Sequence, residues 1–114
     1  MIHQLRIYEI FEHNKAAFHA RFRDHAMRIM KKYGFEFVAM WEAREEQKTE
    51  FVYILAWRDE ATKNAAWENF RADEEWKEVK WVTSAQYGDL VGAIEDRVLF
   101  LTDYSAPLSK SLNI

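Results

Sequence analysis

The residues best suited to chemistry in this 114-residue chain are an arginine and a tyrosine near its start. Arg6 and Tyr8 are two positions apart in a segment whose pattern predicts a strand, so both side chains are expected on one side of a sheet. A guanidinium can hold a carboxylate or an enolate, and a phenol beside it can give a hydrogen bond or a proton. The pair therefore predicts an anion clamp. The alternative is an ion pair of Arg6 with Glu95, or with Glu9 or Glu42 of either subunit, that supports the dimer.

His25 is a second candidate for proton transfer. It falls within a run of large residues at steps of three or four (Phe18, Phe22, Ile29 and Tyr33), which predicts one face of a helix. An imidazole there could act as a general base or as an axial ligand to haem. The alternative is a core histidine held by a single hydrogen-bond partner, and the sequence leaves both open.

Further candidates for ligand binding are three aromatic residues and one more cation. Aromatic rings offer flat apolar contact area, and a guanidinium can pair with an anion. Each has a structural alternative, because the rings could pack in a core or an interface and the cation could pair with Glu95. The four residues are Trp41, Tyr53, Trp67 and Arg97.

A metal site is not predicted. The chain has no cysteine, which removes thiolate ligands, and its four histidines do not form the i, i+4 pair of a helical zinc site. Its three glycines cannot build a Gly-rich phosphate loop or a dinucleotide fingerprint. We expect no cofactor, although a haem on His25 stays open.

The predicted element order is β-α-β-β-α-β, the split arrangement of the ferredoxin-like α+β fold. Strand-like segments lie at 2–11, 35–44, 50–57 and near 94–101. The polar stretch 45–49 predicts a hairpin between the second and third strands. We expect an antiparallel sheet with helices on one face.

Local signals predict where the helices begin and end. Asn14 is the expected N-cap of the first helix, and Gly34 is its expected C′ residue. Asp59 is expected to begin a second helix that runs to about residue 72. Asp73 is expected to begin a further helical piece.

Alternation along the strands separates two faces of the sheet. The face with Leu5 and Ile7 is aliphatic and is predicted to pack on the helices of its own subunit. The other face is rich in rings, and no element of a monomer remains to cover it. Because so large an apolar patch indicates an interface, we predict a homodimer that packs sheet against sheet. The ring-rich face includes Arg6, Tyr8, Trp41 and Tyr53.

Two cavities are compatible with this arrangement. One lies between the two sheets of the dimer and is lined by the ring-rich face. The other lies between each sheet and its helices, near Phe22, His25, Trp67 and Phe70. The strand alternation favours the first cavity, but the sequence alone does not decide between them.

Composition limits the class of protein. Residues 1–114 are expected to form one domain, and 49% hydrophobic with 31% charged residues is ordinary for a soluble globular protein. A net charge of −3 gives no electrostatic reason to expect a nucleic-acid partner. No apolar run is long enough to span a membrane, and the start does not read as a secretory leader. We therefore expect a cytoplasmic protein without a membrane partner.

Residues spread over the whole chain resemble the NIPSNAP family. The resemblance implies a small α+β domain that pairs into a dimeric α/β barrel, with a terminal arm lying over the barrel or over the partner subunit. Two positions differ from the family pattern, since Gln4 replaces a Glu and Lys63 replaces an Arg. The matching residues are Gln4-Leu5-Arg6-Ile7-Tyr8, Gly34, Trp41, Trp57, Trp67-x-x-Phe70-x-x-Asp73-x-x-Trp76 and Thr102-Asp103-Tyr104-Ser105-x-Pro107.

The resemblance also limits the functions to consider. Dimeric α/β barrels carry out cofactor-free oxidation of aromatic polyketides, haem breakdown, lactone isomerisation and ligand sensing, so the fold alone does not select one. We expect a homodimer that binds a small, largely apolar organic molecule, which can be an anion. If this homodimer is an enzyme, we expect a cofactor-independent monooxygenase or isomerase with Arg6, Tyr8 and His25 as catalytic residues. The alternative is a non-enzymatic interaction module whose dimer surface is functional.

Overall fold

Within residues 1–108, which the computed structural model describes, four antiparallel strands form one sheet. They are β1 (Ile2–Ile10), β2 (Glu36–Arg44), β3 (Thr49–Trp57) and β4 (Val91–Leu99). Their spatial order is β2-β3-β1-β4, so β1 pairs with β3 on one side and with β4 on the other. The predicted α+β class and element order are confirmed, although β4 begins three residues earlier than predicted.

The first helical segment changes pitch in its middle. Helix α1 (Lys15–Arg21) leads without a break into a π-helical turn (Phe22–Ala26) and then into α2 (Met27–Lys32). A π turn holds more residues than an α turn, so it shifts which side chains face the sheet. Ala26 is buried, whereas His25 is exposed. The prediction that His25 lies on the buried stripe is therefore wrong.

The end of this segment follows the predicted glycine signal. Gly34 has φ +92°, a backbone conformation that suits glycine. Its N–H donates to the carbonyl of Lys31 at 3.1 Å, and the N–H of Phe35 donates to the carbonyl of Met30 at 3.2 Å. These two bonds make a Schellman motif, which confirms Gly34 as the C′ residue.

Two aspartates set the starts of the next helices, as predicted. Asp59 precedes α3 (Glu60–Ala72), and Asp73 precedes α4 (Glu74–Tyr87). The side chain of each aspartate accepts the backbone N–H three residues further on, at 2.8 Å in both cases. Each bond satisfies an N–H that has no partner within its own helix.

Asn14 has a different role from the predicted one. It does precede α1, but its side chain makes no capping bond. Its amide nitrogen donates instead to the backbone oxygens of Asp89, at 3.0 Å, and of Tyr87, at 3.5 Å. The residue therefore joins the start of α1 to the connection between α4 and β4.

The prediction of which sheet face the helices cover is wrong. Gln4, Arg6 and Tyr8 are buried under the helices, whereas Leu5 and Ile7 on the opposite face are only partly buried. The helices present aromatic side chains, which pack edge-to-face against the rings of the sheet. Most polar atoms of this face also bond to one another, which compensates their burial, although the buried Nε of Arg6 has no partner among residues 1–108. We call the uncovered, largely aliphatic side the open face.

Asp73 joins the helices to each other and carries a prediction. Besides capping α4, its carboxylate accepts the Tyr33 hydroxyl at 2.6 Å and the Lys32 ammonium at 3.0 Å. The hydrogen bond from Tyr33 is the main reason that the pKa of Asp73 falls from its ordinary 3.8 to about 2. Asp73→Ala is expected to lower the free energy of unfolding by about 2 kcal/mol at neutral pH.

The sign of the pH dependence follows from the lowered pKa of Asp73. A lowered folded-state pKa means that the stabilisation is complete above 3.8 and is lost as pH falls towards about 2. Urea unfolding of the wild type and of Asp73→Ala should therefore converge across that range. Asp59→Ala, which removes an exposed cap, is the control, with a smaller expected loss of about 1 kcal/mol. A gap that stays constant from neutral pH to pH 2 would contradict the assignment.

Candidate functional site

A chain of hydrogen bonds crosses the helix-covered face of the sheet. The side-chain oxygen of Gln4 accepts the indole N–H of Trp57 at 2.9 Å and that of Trp67 at 2.8 Å. The amide nitrogen of Gln4 donates to a carboxylate oxygen of Asp96 at 3.0 Å. Gln4 is only 1% exposed, so its orientation is fixed by these partners.

Arg6 continues the chain. Its guanidinium donates to the second carboxylate oxygen of Asp96 at 3.1 Å and to the Tyr8 hydroxyl at 3.1 Å. It also lies 4.4 Å from the centroid of the Trp67 ring, a cation–π distance. Within the subunit the ion-pair partner is therefore Asp96 rather than one of the predicted glutamates, because the β4 register places Asp96 opposite Arg6.

A tyrosine pair ends the chain. The hydroxyl oxygens of Tyr8 and Tyr53 are 2.5 Å apart, and Tyr53 has no exposed surface. Burial, and then the neighbouring Tyr8, raise the pKa of the Tyr53 hydroxyl well above its ordinary value. Tyr53 therefore keeps its proton at neutral pH.

A cavity of about 290 Å³ lies between this network and the helices. Arg6 and Tyr8 contribute polar groups to it. The π-helical turn contributes Phe22 and Ala26 to the wall. Five aromatic rings besides Tyr8 line the space, so most of its surface is apolar. These rings belong to Phe18, Phe22, Trp67, Phe70 and Trp76.

Three further cations line the cavity without a carboxylate partner in the described part of the chain. Arg21 donates to the Thr83 hydroxyl at 3.0 Å and, like Lys80, lies near the Trp76 ring, at 5.4 Å and 5.9 Å from its centroid. Arg71 lies 5.2 Å from the centroid of Trp67. Burial lowers the pKa of Arg21, because the guanidinium is partly removed from water and no nearby carboxylate among the described residues offsets that loss.

Among residues 1–108, every charged side chain that lines the cavity is therefore positive. Its lining includes four cations and no acidic residue among residues 1–108. The Asp96 carboxylate, which pairs with Arg6, lines a neighbouring cavity of about 540 Å³ that shares Trp67 and Arg71 with the first. A partly desolvated cation gains most from an anion that enters the site with it. The cavity is thus suited to an apolar molecule that carries a negative group.

The structure brings four of the predicted site residues together and separates three from them. Arg6, Tyr8, Tyr53 and Trp67 form one connected network. The other three lie elsewhere: Trp41 is 50% exposed on the open face, Arg97 pairs with Glu95 at 2.8 Å on that same face, and exposed His25 lies beside Arg28 on the outside of the helix. Arg6 and Tyr8 line the second of the two cavities considered from the sequence, the one between the sheet and the helices. Phe22, Trp67 and Phe70 line it as expected, whereas His25 does not.

Arg21, Arg71 and Lys80 were not predicted from the sequence as site residues, although a signal for two of them exists. Arg71 follows Trp67 by four residues, and Lys80 follows Trp76 by four. Residues at i and i+4 are neighbours on a helix, so each cation is placed beside an indole ring. Arg21 had no such signal, because its position depends on the π-helical turn.

The residues that follow β4 lie beside the open face. A cavity of about 350 Å³ there is lined by His3 and Ile54 on one side and by Phe100, Leu101 and Leu108 on the other. Tyr104 in the predicted terminal motif is 86% exposed. Whether this arm covers a partner subunit stays a prediction.

Two structural findings bear on metals and membranes. No three His, Cys, Asp or Glu side chains among residues 1–108 come close enough together to hold a metal ion. None of the helices in that range is both long and apolar enough to cross a membrane.

The sheet order and the helices on one face define a ferredoxin-like α+β domain. An antibiotic biosynthesis monooxygenase is similar, with a TM-score of 0.57 and 13% identity over 90% of this chain and 99% of that one. The chain belongs to the NIPSNAP family, whose model matches residues 3–106. This confirms the resemblance noted in the sequence.

Solved structures of family members are closer in shape. An uncharacterised NIPSNAP domain protein from Burkholderia xenovorans has a TM-score of 0.77 and 18% identity, covering 94% of this chain and 100% of that one. A NIPSNAP family protein from Agrobacterium tumefaciens str. C58 has a TM-score of 0.78 and 16% identity, covering 91% and 95%. At these identities the likeness concerns the fold alone. A comparison with curated proteins found no match.

Proposed function

We propose that this protein is a homodimer that binds a small, largely apolar organic anion in the cavity between the sheet and the helices. The observation that carries the proposal is a set of three cations on a wall of aromatic rings, Arg21, Arg71 and Lys80, which have no carboxylate partner among residues 1–108. Rings bind the apolar body of a ligand, and cations without carboxylate partners bind its charge. Binding in this form requires no cofactor.

The open face supports the dimer. Leu5 pairs across the strands with Ile54, and Ile7 pairs with Val52, which gives this side of the sheet an aliphatic centre. Val52 also lies opposite the half-exposed Trp41. A sheet face of this kind is stabilised when a second copy covers it.

The enzymatic form of the proposal is a cofactor-independent monooxygenase or isomerase. Tyr8 would supply the hydrogen bond or the proton, because its hydroxyl belongs to the polar network that borders the cavity. Arg6 would act mainly by holding Tyr8, since its guanidinium already pairs with Asp96. His25 has no part in this form, because it does not line the cavity.

A second candidate function is an interaction module, and one feature favours it. Trp81, Val82 and Tyr87 expose apolar surface on α4, with Trp81 69% exposed. Exposed tryptophan is common at protein interfaces. This surface lies outside the binding cavity, so the two functions can be tested separately.

The binding proposal can be tested with two flat tricyclic ligands of the same shape. Fluorene-2-carboxylate is an anion, and fluorene-2-carboxamide is neutral. Isothermal titration calorimetry should show the carboxylate binding at least about tenfold more tightly, since a hydrogen bond to a charged group is stronger than a neutral one. Equal affinities, or no binding of either ligand, would overturn the proposal.

Arg21→Gln is expected to weaken binding of the carboxylate by about tenfold and to leave the carboxamide nearly unchanged. The variant keeps a polar side chain near Thr83 but removes the charge. Arg23→Gln is the matched control, because Arg23 is exposed, pairs with Asp24 and does not line the cavity. The same loss in both variants would show only a general effect of net charge.

A further inference from the structure

The donors and acceptors around the Tyr8–Tyr53 pair determine which of the two hydroxyls donates the hydrogen bond between them. A phenol has one donor and can accept two hydrogen bonds. Tyr53 is fully buried, and its hydroxyl lies beside Arg6, whose guanidinium can only donate. Among residues 1–108 the Tyr8 oxygen is therefore the one acceptor for the Tyr53 proton. If Tyr8 donated in this bond, the Tyr53 proton would be buried without an acceptor, which disfavours that arrangement by about tenfold or more. Tyr53 is therefore the donor.

Arg6 takes the other acceptor position of the Tyr8 oxygen. Its guanidinium donates to that oxygen at 3.1 Å and has no lone pair with which to accept in return. Tyr8 thus accepts from two donors, and its own proton needs an acceptor elsewhere. No further hydrogen-bond partner of Tyr8 occurs in the described part of the chain. Because Tyr8 lines the cavity, its proton is available to an acceptor inside it, either water or a ligand.

We propose that the ligand carries an oxygen acceptor, such as a ketone or an enolate, that receives the hydrogen bond of Tyr8, in addition to an anionic group held by Arg21. Tyr53 is a positioning residue, since it acts through the orientation of Tyr8 and does not itself line the cavity. The proposal rests on the proposed function, because it adds a second recognition point to the same cavity. It narrows the ligand class to aromatic or apolar keto acids.

The test compares two carboxylates that differ at one atom position. In 9-oxofluorene-2-carboxylate a carbonyl replaces the CH₂ of fluorene-2-carboxylate, so shape and charge are shared. We expect the wild type to prefer the ketone by about fivefold, the value of one net hydrogen bond. Tyr8→Phe should bind both ligands equally. No preference in the wild type, or an undiminished preference in Tyr8→Phe, would overturn the proposal.

Tyr53→Phe distinguishes the two possible proton directions. With Tyr53 as the donor, its loss removes a restraint on Tyr8, so the preference for the ketone should fall or stay the same. With Tyr8 as the donor, the loss of Tyr53 would free the Tyr8 proton, and the preference would rise. A rise would therefore overturn the proposal. Circular dichroism of both variants checks that the fold is kept.

A spectroscopic measurement on wild type and Tyr8→Phe gives an independent readout. A hydrogen bond to a carbonyl lowers its stretching frequency, so infrared difference spectra of the bound ketone should show a downshift in the wild type and none in Tyr8→Phe. A structural role of Tyr8 would not move this band. If the carboxylate outcompetes the carboxamide but the ketone gains nothing, this inference fails and the proposed function stands. If the charge makes no difference, the proposed function itself fails.

Discussion

Val52→Glu is expected to leave the protein monomeric. Val52 lies at the centre of the open face, between Ile7 on β1 and Trp41 on β2. The proposed dimer would bury this position against a second sheet, where an unpaired carboxylate costs several kcal/mol, so the dimer should weaken by about a thousandfold or more. Size-exclusion chromatography with light scattering reads the change directly. Because the side chain points away from the helices, circular dichroism should be unchanged.

Val82→Glu is the matched control for the open face. Val82 is 45% exposed on α4 and belongs to the second apolar surface of the protein. We expect this variant to stay a dimer. If Val52→Glu remained a dimer and Val82→Glu became a monomer, the subunits would associate through α4, and the open face would need another partner.

Gln4→Leu is expected to cost about 3 kcal/mol in the free energy of unfolding, because it leaves two buried indole N–H groups without an acceptor. Those groups belong to Trp57 and Trp67, and Asp96 loses a donor as well. Leu fills nearly the same volume, so little of the loss should come from a cavity. Urea unfolding monitored by tryptophan fluorescence measures the effect.

Gln86→Leu makes the same chemical change at an exposed position of α4. Its free energy of unfolding should change by less than about 0.5 kcal/mol, as for most surface substitutions. Equal losses at both positions would mean that the Gln4 bonds contribute nothing beyond the general effect of a hydrophobic substitution.

A second substitution at position 4 separates the two roles of the Gln4 amide, whose oxygen accepts from the indoles and whose nitrogen donates to Asp96. Gln4→Glu keeps an oxygen for the two indoles but places a carboxylate beside that of Asp96. Like charges at this distance repel, so we expect a smaller loss of stability that shrinks further as the pH is lowered. In the wild type the negative charge near Arg6 comes from Asp96 on β4.

The elements of the fold could be predicted because their signals are local. Asp59, Asp73 and Gly34 act through hydrogen bonds within a few residues, so the sequence is sufficient to place them. The covered face of the sheet could not be predicted in this way. Alternation shows that Arg6 and Tyr8 share a side, but the helices determine which side becomes the core. Arg6, Tyr8 and Tyr53 were predicted to face a second subunit, but they bond to each other inside the core instead.

The site could be predicted only in part, because residue types are visible in the sequence whereas the contacts between strands are not. Arg6, Tyr8, Tyr53 and Trp67 were selected by type, and the register of β1 and β3 brings the first three together. The ion-pair partner of Arg6 depended on the β4 register, where a shift of one residue exchanges the two faces of the strand. Asp96 is therefore the ion-pair partner of Arg6, where Glu95 was predicted.

The π-helical turn at Phe22–Ala26 sets how the two halves of the first helical segment face relative to each other. A π turn rotates the chain less per residue than an α turn, so these residues turn it about as far as one residue fewer would in an α-helix. If the same residues adopted regular α-helical pitch, the preceding segment would rotate by about 100° relative to the following one. Arg21 and Phe18 would then face away from the cavity while Met30 stayed in place. A helix of the same length without the π turn would therefore keep the sheet and the tyrosine pair but remove the Arg21 charge from the binding cavity.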